Sequence, residues 1–290
     1  VGTKLHEAIS LLASSLDPRL LALLTSTARL FAWLFILSAI FLPLERLFGL
    51  HSQKFFRKGL LQDLGYFFIN GLVPSLLLAL PLSLVAVAAQ AVVPAQVQAA
   101  VAAWPLWQRI LVGLVVGEIG FYWGHRWAHE LPFLWRFHSL HHSAENLYFL
   151  ISSRAHPLDN VFIRLCGLIP AVLLGVASPL APTGSLVPIV IVLAATTWGF
   201  FIHSNLRWRL GPFEWLVATP AFHHWHHTMG RQRDCNFASM LPWIDRLFGT
   251  YYLPRGRWPS SYGIEEKLPR SLGAQLLYPF RRSRAPEELR

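Results

Sequence analysis

The stretch Leu64–Val93, LGYFFINGLVPSLLLALPLSLVAVAAQAVV, runs for 30 residues without an Asp, Glu, Lys or Arg. About 20 apolar residues carry a helix across the hydrocarbon core at about 1.5 Å per residue. The stretch is therefore expected to enter a bilayer, and it is long for one crossing. Pro74 and Pro81 are expected either to kink one helix or to mark a re-entrant pair of shorter ones. Working outward, Leu30–Leu44 is the clearest part of a preceding span that starts near Leu20 and includes Arg29. A third span runs from about Leu106 or Ile110 to Trp123. Leu165–Pro182 with Ser185–Ile202 reads as a membrane hairpin turning at Ala181–Gly184.

Composition agrees with this pattern. Of 290 residues, 54% are hydrophobic and 14% charged, against roughly 25% charged in an ordinary soluble domain, and the mean hydropathy is +0.42. So little polar surface excludes a soluble enzyme, a disordered segment and a disulfide-stapled secreted domain; Cys166 and Cys235 make no framework. The net charge of +10 is not patterned for nucleic acid. Its basic residues sit in short groups at the ends of apolar runs: Lys54, Arg57 and Lys58; Arg207 and Arg209; Arg231 and Arg233; Arg281, Arg282 and Arg284. That is the positive-inside arrangement. It puts the Lys54–Lys58 loop, the Arg126–Arg164 segment and the tail from Arg207 on the cytoplasmic side. Val1–Arg19 has no basic n-region and no small-residue cleavage site, so a cleaved secretory signal is not expected. The expected fold is an all-α integral membrane bundle of four or five transmembrane helices with a cytoplasmic, histidine-rich helical cap. It divides into an N-terminal transmembrane region (1–117), a histidine-box region (118–252, containing the hairpin at about 165–203) and a cytoplasmic C-terminal tail (253–290).

Ten of the 13 histidines recur in order near the ends of these spans. His125 and His129 form H-x3-H; His138, His141 and His142 form H-x2-H-H; His223, His226 and His227 repeat H-x2-H-H, with His224 as an extra. His156 and His203 stand singly. On a helix, positions three and four apart share a face, so each group can aim its imidazoles at one point. A polyhistidine surface or packed core histidines would explain one isolated residue better than this ordered set. Ten imidazoles exceed one ion's needs and match two adjacent ions with about five ligands each. Imidazole suits Fe, Cu, Ni or Zn. A zinc metalloprotease motif is absent, because His129-Glu130 is followed by Phe133.

The order H-x3-H, H-x2-H-H, H-x2-H-H resembles the membrane-bound fatty acid hydroxylase and sterol desaturase superfamily. Arg136–Ser143 and Arg154-Ala155-His156-Pro157-Leu158-Asp159 are similar to its second box and the R-x-H-P element after it. Thr219–His227 and Trp243–Thr250, WIDRLFGT, are similar to its third box and the element that follows. The resemblance covers about Glu118 to Tyr252. It implies a non-haem di-iron oxygenase that uses O2 and two electrons to hydroxylate or desaturate a lipid C–H bond. The implied iron ligands are His125, His129, His138, His141, His142, His156, His203, His223, His226 and His227.

A metal-bound imidazole needs its other ring nitrogen oriented. Candidates for that task are Glu118, Glu130, Glu145, Asp159, Asp234 and Asp245, with Asn205 as a neutral partner. Glu118 is costly inside an apolar helix and lies two turns before His125, which suggests such a role; the bland reading pairs it with Arg109 or Arg164. Asp245 reads as structural, ion-paired with Arg246. With no nucleotide or haem fingerprint, electrons are expected from a separate ferredoxin- or cytochrome-type protein, while the substrate, a sterol, fatty acyl or ether lipid, lies in the bilayer. A histidine-rich membrane metal transporter or sensor, and a non-catalytic scaffold, are the competing classes. Transport ligands belong near the midplane, and no box residue is missing.

Overall fold

The computed structural model describes residues 17–177 and 186–281. The chain divides into two compact units, Val1–Pro43 and Leu44–Arg290. Most of helix α1 (Pro18–Phe48) lies in the first unit, and Asp17 directly precedes it. The Asp17 carboxylate accepts the N–H groups of Arg19 and Leu20 at 2.8 and 3.3 Å and so satisfies two of the donors a helix start leaves open.

The second unit contains α2 (Leu60–Val92), α3 (Ala95–Ala102), α4 (Leu106–Glu130), α5 (Pro132–His142), α6 (Pro157–Leu173), α7 (Leu186–His203), α8 (Pro220–His226), α9 (Trp243–Leu247) and α10 (Leu272–Leu277). Among the described residues β-structure is limited to two isolated bridges, so the architecture is all-α. Helices α1, α2 and α7 are long and apolar enough to cross a membrane, and the pair α3–α4, bent by 113°, raises the count to four if it is one span. This is a multi-pass membrane protein.

Pro74 and Pro81 both fall inside one uninterrupted α2; the re-entrant pair is not formed. At 33 residues the helix is about 50 Å long, beyond the roughly 30 Å hydrocarbon core. Helix α6 starts at Pro157 rather than at Leu165. His156 is its N-cap, with Nδ1 accepting from Leu158 N–H at 3.1 Å, and Pro157 takes the first helical position, where a missing N–H costs nothing. The expected turn at Ala181–Gly184 lies outside the described residues.

Helices α4 and α6 make the most extensive helix pair, and glycine is the reason they can approach. A Cβ on Gly124 would stand 2.7 Å from Cys166 Cβ, and one on Gly120 would run into the Cys166 carbonyl. Close backbones let dispersion hold helices together in an apolar medium. The described part of the tail is packed too: Gln275 of α10 accepts from Tyr66 OH of α2 at 3.0 Å, and Phe280 lies against Phe137 and His156.

Four helices carry histidine in their last turn. The last turns of α4, α5, α7 and α8 carry His129, His141 with His142, His203, and His223 with His226. Helix C-termini hold partial negative charge, which favours a cation nearby.

Candidate metal centre

At 100° per residue, the first and last histidines of an H-x2-H-H lie about 40° apart on a helix and the middle one lies about 60° off the first to the other side. Each such box therefore straddles two sites instead of filling one pocket. His138 and His142 of α5 join His125 and His129 of α4 and His226 of α8 in a group of five; His141 joins His203, His223 and His227 in a group of four. Within each group the candidate ligand atoms all lie within 4.8 Å of one another. The rings of His142 and His227 stack at 4.4 Å across the two groups.

The hydrogen bonds around the rings fix their tautomers. His125 Nδ1 donates to Phe237 O at 2.7 Å and His226 Nδ1 to Cys235 O at 2.8 Å, since a carbonyl only accepts. His138 Nδ1 donates to Asp159 at 3.0 Å. The Nε2 atoms of these three rings then carry lone pairs, yet His125 Nε2 is 3.1 Å from His138 Nε2 and 3.0 Å from His226 Nε2. In the group of four, His141 Nδ1 donates to Arg154 O at 3.1 Å and His203 Nδ1 to Gly199 O at 2.7 Å. Their Nε2 atoms face each other at 3.1 Å. Lone pairs at this distance with no proton to share repel, and a shared cation removes the repulsion. Both donor sets fit a divalent transition metal.

Burial keeps the rings in the form a metal needs. It is the largest cause holding His138 and His141 down at about 3, and it holds His142, His223, His226 and His227 well below the usual imidazole range. Burial also pushes Asp159 up to about 6.

The other residues singled out by the sequence divide. Asp159 touches His138, and Asp234 Oδ1 lies 3.1 Å from His129 Nδ1. His156 stands outside both groups: besides capping α6, its Nε2 bonds to Leu276 O at 3.1 Å. Asn205 holds the His51 backbone, through N–H to Oδ1 at 3.0 Å and Nδ2 to O at 2.7 Å. Glu118 accepts from Ser239 Oγ at 3.0 Å and from the N–H groups of Met240 and Leu241. It reaches the imidazoles only through the backbone that carries Phe237. Asp245 works on that same backbone, accepting from Phe237 N–H at 2.7 Å, Ala238 N–H at 2.9 Å and Thr250 Oγ1 at 2.7 Å. Arg246 lies over the rings of Trp215 and Tyr251 instead of pairing with Asp245. Glu130 pairs with Arg126 at 2.7 Å.

Sequence reading missed Asp63. Its Oδ1 takes Arg154 Nη1 at 2.7 Å in a buried ion pair, and Asn70 Nδ2 donates to Ser153 O and Ala155 O. Helix α2 thus holds the turn whose Arg154 carbonyl orients His141. A lone acid directly before a 30-residue uncharged run was the available signal. His224 joins neither group; its ring links Ser204 O at 3.0 Å to Tyr262 OH at 2.9 Å.

The family model for fatty acid hydroxylase matches residues 110–250, which include every residue of both groups. The chain is 36% identical over 182 residues to the ornithine lipid hydroxylase OlsE of Rhizobium tropici, covering 62% of this chain and 52% of that protein. It is 36% identical over 152 residues to the alkylglycerol monooxygenase of Danio rerio (51% and 31%) and 29% identical over 150 residues to methylsterol monooxygenase 2-2 of Arabidopsis thaliana (50% and 54%). The matches span about half the length of these relatives or less. No solved structure matches. Residues 110–250, the segment that builds both histidine groups, are thus similar to the fatty acid hydroxylase family.

Proposed function

We propose that this protein is a membrane-bound di-iron oxygenase that hydroxylates or desaturates a C–H bond of a lipid. The observation that carries this reading is the pair of adjacent histidine groups whose Nε2 lone pairs converge. Nine residues would hold the metals: His125, His129, His138, His142 and His226 at one site, and His141, His203, His223 and His227 at the other. Two iron ions bound there would supply the O2 activation that attack on an unactivated C–H bond requires. The residues around them orient and enclose. Asp159 and Asp234 hold His138 and His129, Glu118 and Asp245 fix the backbone that holds His125, and burial keeps bulk water from the ligand atoms. His156 serves as a helix cap in this reading.

The activities for which the relatives are named, on ornithine lipid, alkylglycerol and methylsterol, support a lipid substrate. The basic loops support a cytoplasmic placement of the histidines, and a ferredoxin- or cytochrome-type protein on that side would deliver electrons. The oxygenase region is 118–252, between a transmembrane region to 117 and a tail from 253. Purified protein should carry close to two irons per chain and consume O2 with a lipid extract under reducing conditions. Zinc alone with no O2-dependent turnover overturns the reading.

A further inference from the structure

The two groups differ in what stands behind their imidazoles. In the group of five, four rings have Nδ1 held. Three of these holds come from one four-residue segment: the Asp234 carboxylate on His129, the Cys235 carbonyl on His226 and the Phe237 carbonyl on His125. The fourth is Asp159 on His138. The segment is itself pinned. Asn236 sits at a φ of 59°, and its Nδ2 donates to Phe222 O at 2.8 Å and Tyr252 O at 2.7 Å. Asp245 takes the N–H of Phe237. In the group of four, the two held rings, His141 and His203, rest on carbonyls from separate elements. Among the described residues, nothing takes the buried Nδ1 of His223 or His227.

Carboxylate behind an imidazole raises its basicity as a ligand, and fixed rings need no ordering when metal arrives. We propose that the two sites are unequal: the group of five binds a divalent first-row metal first and tightly, and the group of four binds its metal second and exchanges it. The inference rests on the preceding reading only in that both groups take metal. Asp234 is the discriminating residue. It touches His129 at its half-exposed surface position, whereas the charge of Asp159 also reaches His141.

The test is Co(II) titration of the metal-free, full-length protein in detergent, followed by the visible absorption of the bound ion. Wild type should take up two equivalents in two steps. Asp234→Asn should weaken the first step about 10-fold or more and leave the second unchanged, and Asp234→Glu should restore part of the loss. His223→Ala should remove the second step and leave one tightly bound ion. Uptake in a single step, equal weakening of both steps or an unmoved first step in Asp234→Asn, or loss of the tight step in His223→Ala overturns the inequality. Absence of any bound Co(II) in wild type overturns the metal reading beneath it.

Discussion

The groups of five and four histidines draw on the same two boxes, yet they lean on opposite parts of the chain. The group of five is braced by residues 234–245, which follow the third box, and by Glu118 from α4. The group of four is braced through Arg154 by Asp63 of α2, and by the Gly199 carbonyl within α7. Identical motifs acquire different surroundings because one helix presents its two flanks to different neighbours. Damage to one brace should therefore reach one group before the other.

The largest effect comes from removing a ligand on either side. His226→Ala and His141→Ala should each abolish turnover and halve the metal content while the protein stays membrane-inserted. Metal analysis and an O2-consumption assay check this, and surviving activity in either variant breaks the pairing of the groups. Next is Asp63→Asn. It leaves Arg154 buried without its partner, which typically costs about 3–5 kcal/mol, and it should release metal from the group of four first. Denaturant melts with metal counts along the transition read both effects; simultaneous loss from both groups would show that α2 braces them together.

Acid should act on both groups at once. In the unfolded chain imidazoles take up protons near 6.5, while burial keeps His138 and His141 unprotonated down to about 3. Between those values the unfolded state holds more protons, so stability rises with pH and falls on acidification. Each such imidazole contributes about 1.4 kcal/mol per pH unit below 6.5. Melting of the metal-free protein across pH 7.5 to 4.5 should show a steady decline, and a flat profile would contradict the burial. The smallest effect belongs to Tyr262→Phe, which removes the donor to His224 and touches neither group. A loss of about 1 kcal/mol with unchanged metal content is expected, measurable by the same melts.

Much of this was legible in the residues. Uncharged runs marked α1, α2 and α7, because charge is what a bilayer refuses, and i, i+4 spacing marked which rings share a face. The start of α6 was misplaced because a hydropathy reading begins after the last charge. Asp159, Asn160 and Arg164 belong to the helix, and the His-Pro pair at 156–157 was its true start signal. The division of each H-x2-H-H between two sites depends on which neighbour lies on which flank, and no local pattern carries that. Glu118 stood out in the sequence by its cost, but its partners lie 121 to 123 positions away. A backbone amide as partner leaves no mark in side-chain identity. Asp245 beside Arg246 suggested an ion pair through adjacency alone, although neighbouring residues on a helix point about 100° apart.

His226 meets His125 across 101 residues of sequence, and this separation governs how the centre can be assembled in a cell. At a synthesis rate of roughly 5–20 residues per second, the four earlier members of the group of five exist for about 4–17 s before His226 is made. During that interval α4 and α5 present an incomplete donor set, open to whichever soft cation is present. If the groups take metal as proposed, loading the correct one would be a question of timing during biogenesis as well as of affinity in the finished protein.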